Sequence, residues 1–90
     1  MNAPSVTVSD IQAKIKKTEY FVIPGTTVTI CNLTLENGYS VRGESACVSP
    51  ENFNIAIGEK YAFEQAVEKI WILEGYLLKQ KLFEQSKPTN

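Results

Sequence analysis

The C-terminal third of this chain constrains its fold more than any other stretch. Apolar residues recur there at spacings of three and four, which places them on one face of a helix. This stripe consists of Ala62, Ala66, Ile70, Leu73 and Leu77. A second set beside it widens the apolar arc: Phe63, Val67, Trp71 and Leu78. Such an arc is wider than contact with one sheet needs. We therefore predict a long helix, starting between Ile55 and Gly58 and reaching Phe83, that covers a small sheet and also contacts another subunit.

Upstream of this helix, three segments rich in β-branched and aromatic residues predict strands. They lie within residues 19–23, 26–35 and 39–48. Pro24 and Gly25 separate the first two segments and suit the central positions of a type II turn. Residues 36–38, Glu-Asn-Gly, reverse the chain between the second and the third.

The register of the second hairpin follows from where its apolar residues fall. A two-residue loop at 37–38 would put Leu33 on the same face as Arg42. A three-residue loop at 36–38, with Gly38 left-handed, puts Leu33 opposite Val41 and keeps the apolar side chains together. The other pairs that this loop predicts are Leu35 with Tyr39 and Cys31 with Gly43.

The N-terminal segment predicts a short helix. Ser9 or Asp10 can cap a helix over residues 11–17, in which Ile11 and Ile15 form a buried pair. The whole chain, 1–90, is then a single α+β domain: a small antiparallel β-meander of about three strands, with a short N-terminal helix and a long C-terminal helix. Residues 1–8 and 86–90 are polar or contain Pro, and we expect them to be flexible.

Charge and composition argue against several classes of function. Nine Lys and Arg against ten Asp and Glu give a net charge of -1, unlike a dedicated DNA-binding protein. The chain has no His and no phosphate-loop, metalloprotease or hydrolase motif. We therefore expect no enzyme, no metal site and no cofactor. No apolar run is long enough to cross a bilayer and no signal peptide is visible. A cytoplasmic protein with free thiols at Cys31 and Cys47 is expected.

A few positions have both a structural and a ligand-binding interpretation. Arg42, the single arginine, can form a surface pair with Glu44 or a nearby Glu, or its guanidinium can bind a phosphate or carboxylate. Asn52 and Phe53 can serve helix capping and packing, the simpler interpretation, or can receive a polar ligand at a helix start. Tyr61 can pack, or it can support a purine where a basic residue is close.

A series of motifs in fixed order resembles a known family. The motifs are NGY, GESAC, PENF, IGxK and KIWxLEGYL, all within residues 27–82. This order resembles a family of small proteins of tailed phages and prophages that is similar to the first-described Thoeris anti-defence protein. Members of that group bind and sequester the cyclic ADP-ribose signal made by bacterial TIR-domain proteins without cleaving it. Some relatives also hold cyclic di- or trinucleotides.

The resemblance implies a small antiparallel sheet with C-terminal helices, a homo-oligomer, and a ligand pocket between subunits. An aromatic ring would stack on a base and basic side chains would neutralise phosphate, in the cytoplasm of the host bacterium. The residues that we assign to this site are Tyr39, Arg42, Asn52, Phe53, Lys60, Tyr61 and Lys69. The alternative is a small phage interaction module that docks on a host protein through the apolar face of the helix.

Overall fold

The computed structural model describes residues 5–86, apart from the side chain of Pro50. Its elements in chain order are α1 (Val8–Lys14), β1 (Ile15–Val22), β2 (Val28–Leu35), β3 (Ser40–Ala46), a 3₁₀ turn (Pro50–Asn52) and α2 (Ile55–Ser86). The predicted α+β fold, with its two helices and its three-stranded meander, is confirmed. Of the predicted flexible ends, residues 1–4 and 87–90 lie outside the described part. Within it, Val6 packs against the core and Ser86 is the last residue of α2.

The strands pair antiparallel in the order β1-β2-β3, and both turns are confirmed. Leu33 lies opposite Val41, and the Leu35 amide donates to the Tyr39 carbonyl at 2.7 Å. Gly38 has φ 91°, the left-handed conformation that the three-residue loop requires. In the first hairpin, Gly25 has φ 77° and the Thr26 amide donates to the Ile23 carbonyl at 3.1 Å, as in a type II turn.

The predicted start and end of the N-terminal helix are wrong. The N-cap is Thr7, whose hydroxyl accepts from the Asp10 amide at 3.2 Å, while the Asp10 carboxylate accepts from the Thr7 amide at 2.8 Å. This reciprocal capping box begins the helix at Val8, before the predicted caps Ser9 and Asp10. The helix ends at Lys14, whose carbonyl accepts from the Glu36 amide at 2.9 Å and so ties the chain into the sheet.

The predicted buried pair of that helix is consequently split between two elements. Ile11 is buried in α1, whereas Ile15 is the first residue of β1 and only half-buried against the core. Lys17, the predicted last helical residue, pairs with Thr34 in the sheet.

One face of the sheet carries the core, and α2 packs across it at close range. Ala62, Ala66 and Ile70 are completely buried, as the apolar stripe predicted. The helix approaches most closely over Gly43, where a Cβ atom would lie 3.0 Å from the Gln65 carbonyl carbon and nearer still to other backbone atoms of α2. Small residues on both elements therefore set the distance between helix and sheet.

The second half of α2 extends past the sheet. Leu73 and Leu77 continue the apolar stripe, yet their exposures are 39% and 42%. Ile72 and Tyr76 are exposed at 67% and 72%. The radius of gyration is 17.1 Å, whereas a compact domain of this length has about 12 Å. The contact with another subunit that this surface predicts stays a prediction.

Candidate functional site

A cavity of about 230 Å³ lies between one end of the sheet and the start of α2. Its strand side is formed by Thr27, Thr29, Ser45, Ala46 and Cys47. Its helix side is formed by Asn52, Phe53, Asn54, Ile57, Gly58 and Tyr61. The cavity thus brings together three of the predicted ligand residues, namely Asn52, Phe53 and Tyr61.

The chain between β3 and α2 positions the helix side of this cavity. The Asn52 amide donates to the Ser49 carbonyl at 3.1 Å, closing the 3₁₀ turn that presents Asn52 and Phe53. The main helix then begins under Asn54, whose side-chain oxygen accepts from the Ile57 amide at 3.3 Å. Capping therefore occupies the Asn54 oxygen, whereas the Asn52 carboxamide is exposed and bonds no other group within residues 5–86.

At the strand side of the cavity, Thr29 carries a buried hydroxyl without a partner. Thr29 is 1% exposed, and its Oγ1 is the one buried side-chain polar atom that lacks a hydrogen bond in the described part of the chain. Gly58 permits this arrangement, because a Cβ there would lie 2.7 Å from the Thr29 hydroxyl. The neighbouring Ser45 hydroxyl is already used, since it donates to the Gly58 carbonyl at 2.7 Å. Leaving such a hydroxyl unpaired costs about 1–3 kcal/mol. A polar atom of a ligand could recover that cost.

The side chains that line the cavity are either apolar or polar and uncharged. The predicted cation Lys60 lies next to it, with its ammonium nitrogen 6.0 Å from the centroid of the Tyr61 ring. Tyr61 itself is 56% exposed, so its ring forms part of the rim as well as the wall. The arrangement suits an uncharged ring inside the cavity, with any anionic group kept outside near Lys60.

The predicted residues Arg42 and Lys69 lie elsewhere, along β3. The Arg42 guanidinium points to the sheet face away from the core, where it donates to Asn32 Oδ1 at 3.2 Å and to Ser40 Oγ at 3.1 Å. Arg42 forms no ion pair with Glu44 or with another Glu among residues 5–86, so the surface-pair interpretation is wrong. The Lys69 ammonium donates to the backbone carbonyl of Arg42. Both cations are therefore hydrogen-bonded to groups of the sheet.

Tyr39 lies at the far end of the hairpin from the cavity. Its amide donates to Asn37 Oδ1 at 3.0 Å, and its ring is 59% exposed. Since β2 continues for six residues beyond Thr29, to Leu35 opposite Tyr39, the two positions are about 20 Å apart along the strand. Only a second subunit could bring Tyr39 and this cavity to one ligand.

The described residues give no sign of a metal centre or a membrane span. No group of three or more His, Cys, Asp or Glu side chains within 5–86 is placed to hold a metal ion. Neither helix of that part has the length and apolarity to traverse a bilayer. Cys31 and Cys47 are both free, as predicted.

Comparison with known proteins identifies one family. The sequence profile of the Phage protein (N4 Gp49/phage Sf6 gene 66) family matches residues 6–82, which include both helices up to Leu82, the sheet and the cavity. Comparisons with curated proteins and with solved structures return no match.

Proposed function

The chain belongs to the Phage protein (N4 Gp49/phage Sf6 gene 66) family, and from this premise we propose that it binds and sequesters a nucleotide-derived immune signal in the host cytoplasm without cleaving it. The signal would be a cyclic ADP-ribose isomer or a cyclic oligonucleotide, as the resemblance to the Thoeris anti-defence protein implies. The observation that carries the proposal is the cavity at the start of α2, where Asn52, Phe53 and Tyr61 meet the unpaired hydroxyl of Thr29.

The size of the cavity suits a ligand of which one ring system is enclosed while the rest stays outside. Ligand cavities typically measure about 300–1,000 Å³, so about 230 Å³ accommodates one ring system and not a whole cyclic dinucleotide. The base would stack on Phe53 or Tyr61 and hydrogen-bond to Asn52 and Thr29. The phosphates would remain at the rim beside Lys60. Hydroxyl, amide and aromatic groups of this kind can hydrogen-bond to a ligand and stack against it.

A homo-oligomer would complete such a site, and α2 is the element that we propose assembles it. The exposed apolar side chains of its second half, Ile72, Leu73, Tyr76 and Leu77, support a contact with a second copy. We expect Ile72→Lys with Tyr76→Lys to break this contact and so to lower the particle mass measured by light scattering below that of the wild type. A wild type that is monomeric at high concentration would contradict this part of the proposal.

Retention of intact signal tests the proposed function directly. The purified protein is mixed in turn with each cyclic ADP-ribose isomer and cyclic oligonucleotide, freed of unbound ligand, and heated, and the released compound is analysed by chromatography. We expect one class of compound to be recovered unchanged. Asn52→Ala and Tyr61→Ala should each reduce retention of the compound at least tenfold, because both residues line the cavity. Both are exposed, so their truncation leaves the core intact.

Tyr39→Ala is the matched control for Tyr61→Ala, since Tyr39 is an equally exposed tyrosine that is remote from the cavity. The Tyr39→Ala protein should retain as much of the compound as the wild type does, unless a partner subunit brings Tyr39 to the site. Thr29→Val adds a test of the buried hydroxyl, because it replaces the unpaired atom with a methyl group of similar size. Failure of the wild type to retain any of these compounds would remove the proposal.

The second candidate function is docking on a host protein, and the same exposed surface of α2 supports it. A host partner would occupy Ile72 and Tyr76 in place of a second copy. Pull-down from host lysate with wild type and with Tyr76→Lys separates the two functions. One stoichiometric host protein, lost in the variant, together with no ligand retention, would favour docking over sequestration.

A further inference from the structure

The two outer edges of the sheet, β3 and β1, differ in whether their outward backbone groups are hydrogen-bonded. At the outer edge of β3, the Glu44 amide donates to Gln65 Oε1 at 2.7 Å, and the Arg42 carbonyl accepts from Lys69. Both partners are side chains of α2, so the helix satisfies two of the outward backbone groups of this edge. An edge whose groups are already bonded in this way is a poor template for another strand.

The outer edge of β1 has no such cover in residues 5–86. The Ile23 amide donates to the Val28 carbonyl, so the hydrogen-bonded pairs of β1 with β2 involve alternate residues, among them Phe21 and Glu19. The backbone groups of Tyr20 and Val22 consequently point away from β2. No side chain or backbone group in the described part of the chain bonds them.

The same half of β1 exposes a continuous apolar segment. Tyr20, Phe21, Val22 and Ile23 are exposed at 39%, 53%, 40% and 40%. An unpaired edge combined with exposed aromatic and β-branched side chains is a surface that proteins normally pair or protect. The other half of β1 is protected, because it has an irregularity in its pairing between Ile15 and Lys17 and carries two adjacent lysines.

We propose that β1 pairs antiparallel with β1 of a second copy, with Phe21 on the two-fold axis, to form a continuous six-stranded sheet. In this register Tyr20 of each copy exchanges two backbone hydrogen bonds with Val22 of the other, and the two Phe21 rings meet on the face opposite the core. The pairing buries the apolar half of β1 and leaves the lysines and the irregularity outside the new ladder.

The self-complementarity of the segment identifies the occupant as a second copy. Each of the three central side chains finds an apolar partner when the strand meets itself around Phe21, and the contact is closed by its own symmetry. A register centred on Thr18 would place Lys17 opposite Glu19, but it would carry the ladder into the irregular half and pair Lys16 with Tyr20. The proposal is independent of the ligand and of any contact through α2.

Val22→Pro tests this pairing inside an otherwise intact sheet. The Val22 amide points outward, so proline removes a bond of the proposed interface and none of the β1–β2 ladder, and proline is tolerated on an edge strand. Val22→Ala is the matched control because it keeps the amide. Both variants are made in the Ile72→Lys, Tyr76→Lys background, which removes the α2 surface from the measurement.

We expect the background protein and its Val22→Ala form to sediment as dimers at high concentration, and the Val22→Pro form to sediment as a monomer. In amide hydrogen exchange, dimerisation should slow Tyr20 and Val22 at least tenfold, while Glu19 and Phe21 are protected in monomer and dimer alike. Rapid exchange of Tyr20 and Val22 at every concentration would overturn the proposal, as would a Val22→Pro protein of unchanged mass. Two other outcomes would also overturn the β1–β1 pairing, because each assigns the edge to another occupant. In one, the protection of Tyr20 and Val22 is lost on deleting residues 1–4; in the other, it appears only with a host protein.

Discussion

The close approach of α2 to Gly43 can be tested by the substitution Gly43→Ala. In Gly43→Ala the new methyl group would overlap the backbone of α2 around Ala62, Gln65 and Ala66. Backbone atoms cannot rotate away, so the helix must shift. Overpacking of this kind costs about 1–3 kcal/mol, and contact with three backbone atoms places the value at the upper end. Removing a glycine from a strand returns about 0.5–1 kcal/mol. The net loss is then about 2 kcal/mol.

Gly75→Ala is the matched control, because it is the same substitution in the same protein with the opposite expected sign. Gly75 lies in α2, and a Cβ atom added there would meet nothing within 4 Å, so alanine should stabilise the protein by about 0.5–1 kcal/mol. Urea unfolding at one fixed protein concentration, followed by circular dichroism, measures both. A loss of about 2 kcal/mol corresponds to a fall in Tm of roughly 10 °C. If Gly43→Ala unfolds within 0.5 kcal/mol of the wild type, about the scatter of a neutral substitution, the close packing described for α2 is wrong.

Three further predictions concern the N-terminal helix and the thiols. Thr7→Ala should destabilise the protein by about 1 kcal/mol, measured by urea unfolding, because it removes the hydroxyl cap of α1; an unchanged midpoint would contradict the capping box. The hydrogen bond from the Thr7 amide, and after it one from the Thr7 hydroxyl, which Thr7→Ala removes, hold the pKa of Asp10 below its usual value of 3.8. A carboxylate with a lowered folded pKa stabilises the fold above its unfolded pKa and stops doing so as pH falls through the folded value. The NMR titration of Asp10 should therefore have its midpoint below 3.8 in the wild type and move upward in Thr7→Ala. Burial raises the pKa of the Cys31 thiol, which is 0% exposed, so a thiol reagent should modify the half-buried Cys47 well before Cys31; equal rates would show that the core opens readily.

The elements of the fold could be predicted because their signals are local. Alternating apolar residues determined the β2–β3 register, and Gly25 and Gly38 marked turns that need a positive φ. The start of α1 was missed although its signal is also local, since Thr7 and Asp10 have the spacing of a capping box. The end of α1 could not be read from the sequence, because a backbone bond from Glu36 in a distant loop stops the helix at Lys14.

The candidate site was only partly predictable, for a physical reason. Asn52, Phe53 and Tyr61 meet because a 3₁₀ turn and the first turns of α2 are adjacent in sequence as well as in space. Thr29 looked like an ordinary strand residue, and its isolation depends on how closely Gly58 packs against it. The engagement of Lys69 with β3 likewise depends on where the helix crosses the sheet, which no spacing within one segment encodes.

The long second half of α2 converts small movements at the sheet into large ones at its tip. The helix packs on the sheet through Ala62, Ala66 and Ile70, and from Ile70 to Ser86 it continues for about 24 Å. A tilt of about 5° about this packed part would move the C-terminal end by about 2 Å, on the geometry of a straight helix. The cavity lies at the other end of α2. A ligand that displaces the helix at Gly58 would therefore also displace its C-terminal half, which carries the exposed Tyr76, and by a larger distance.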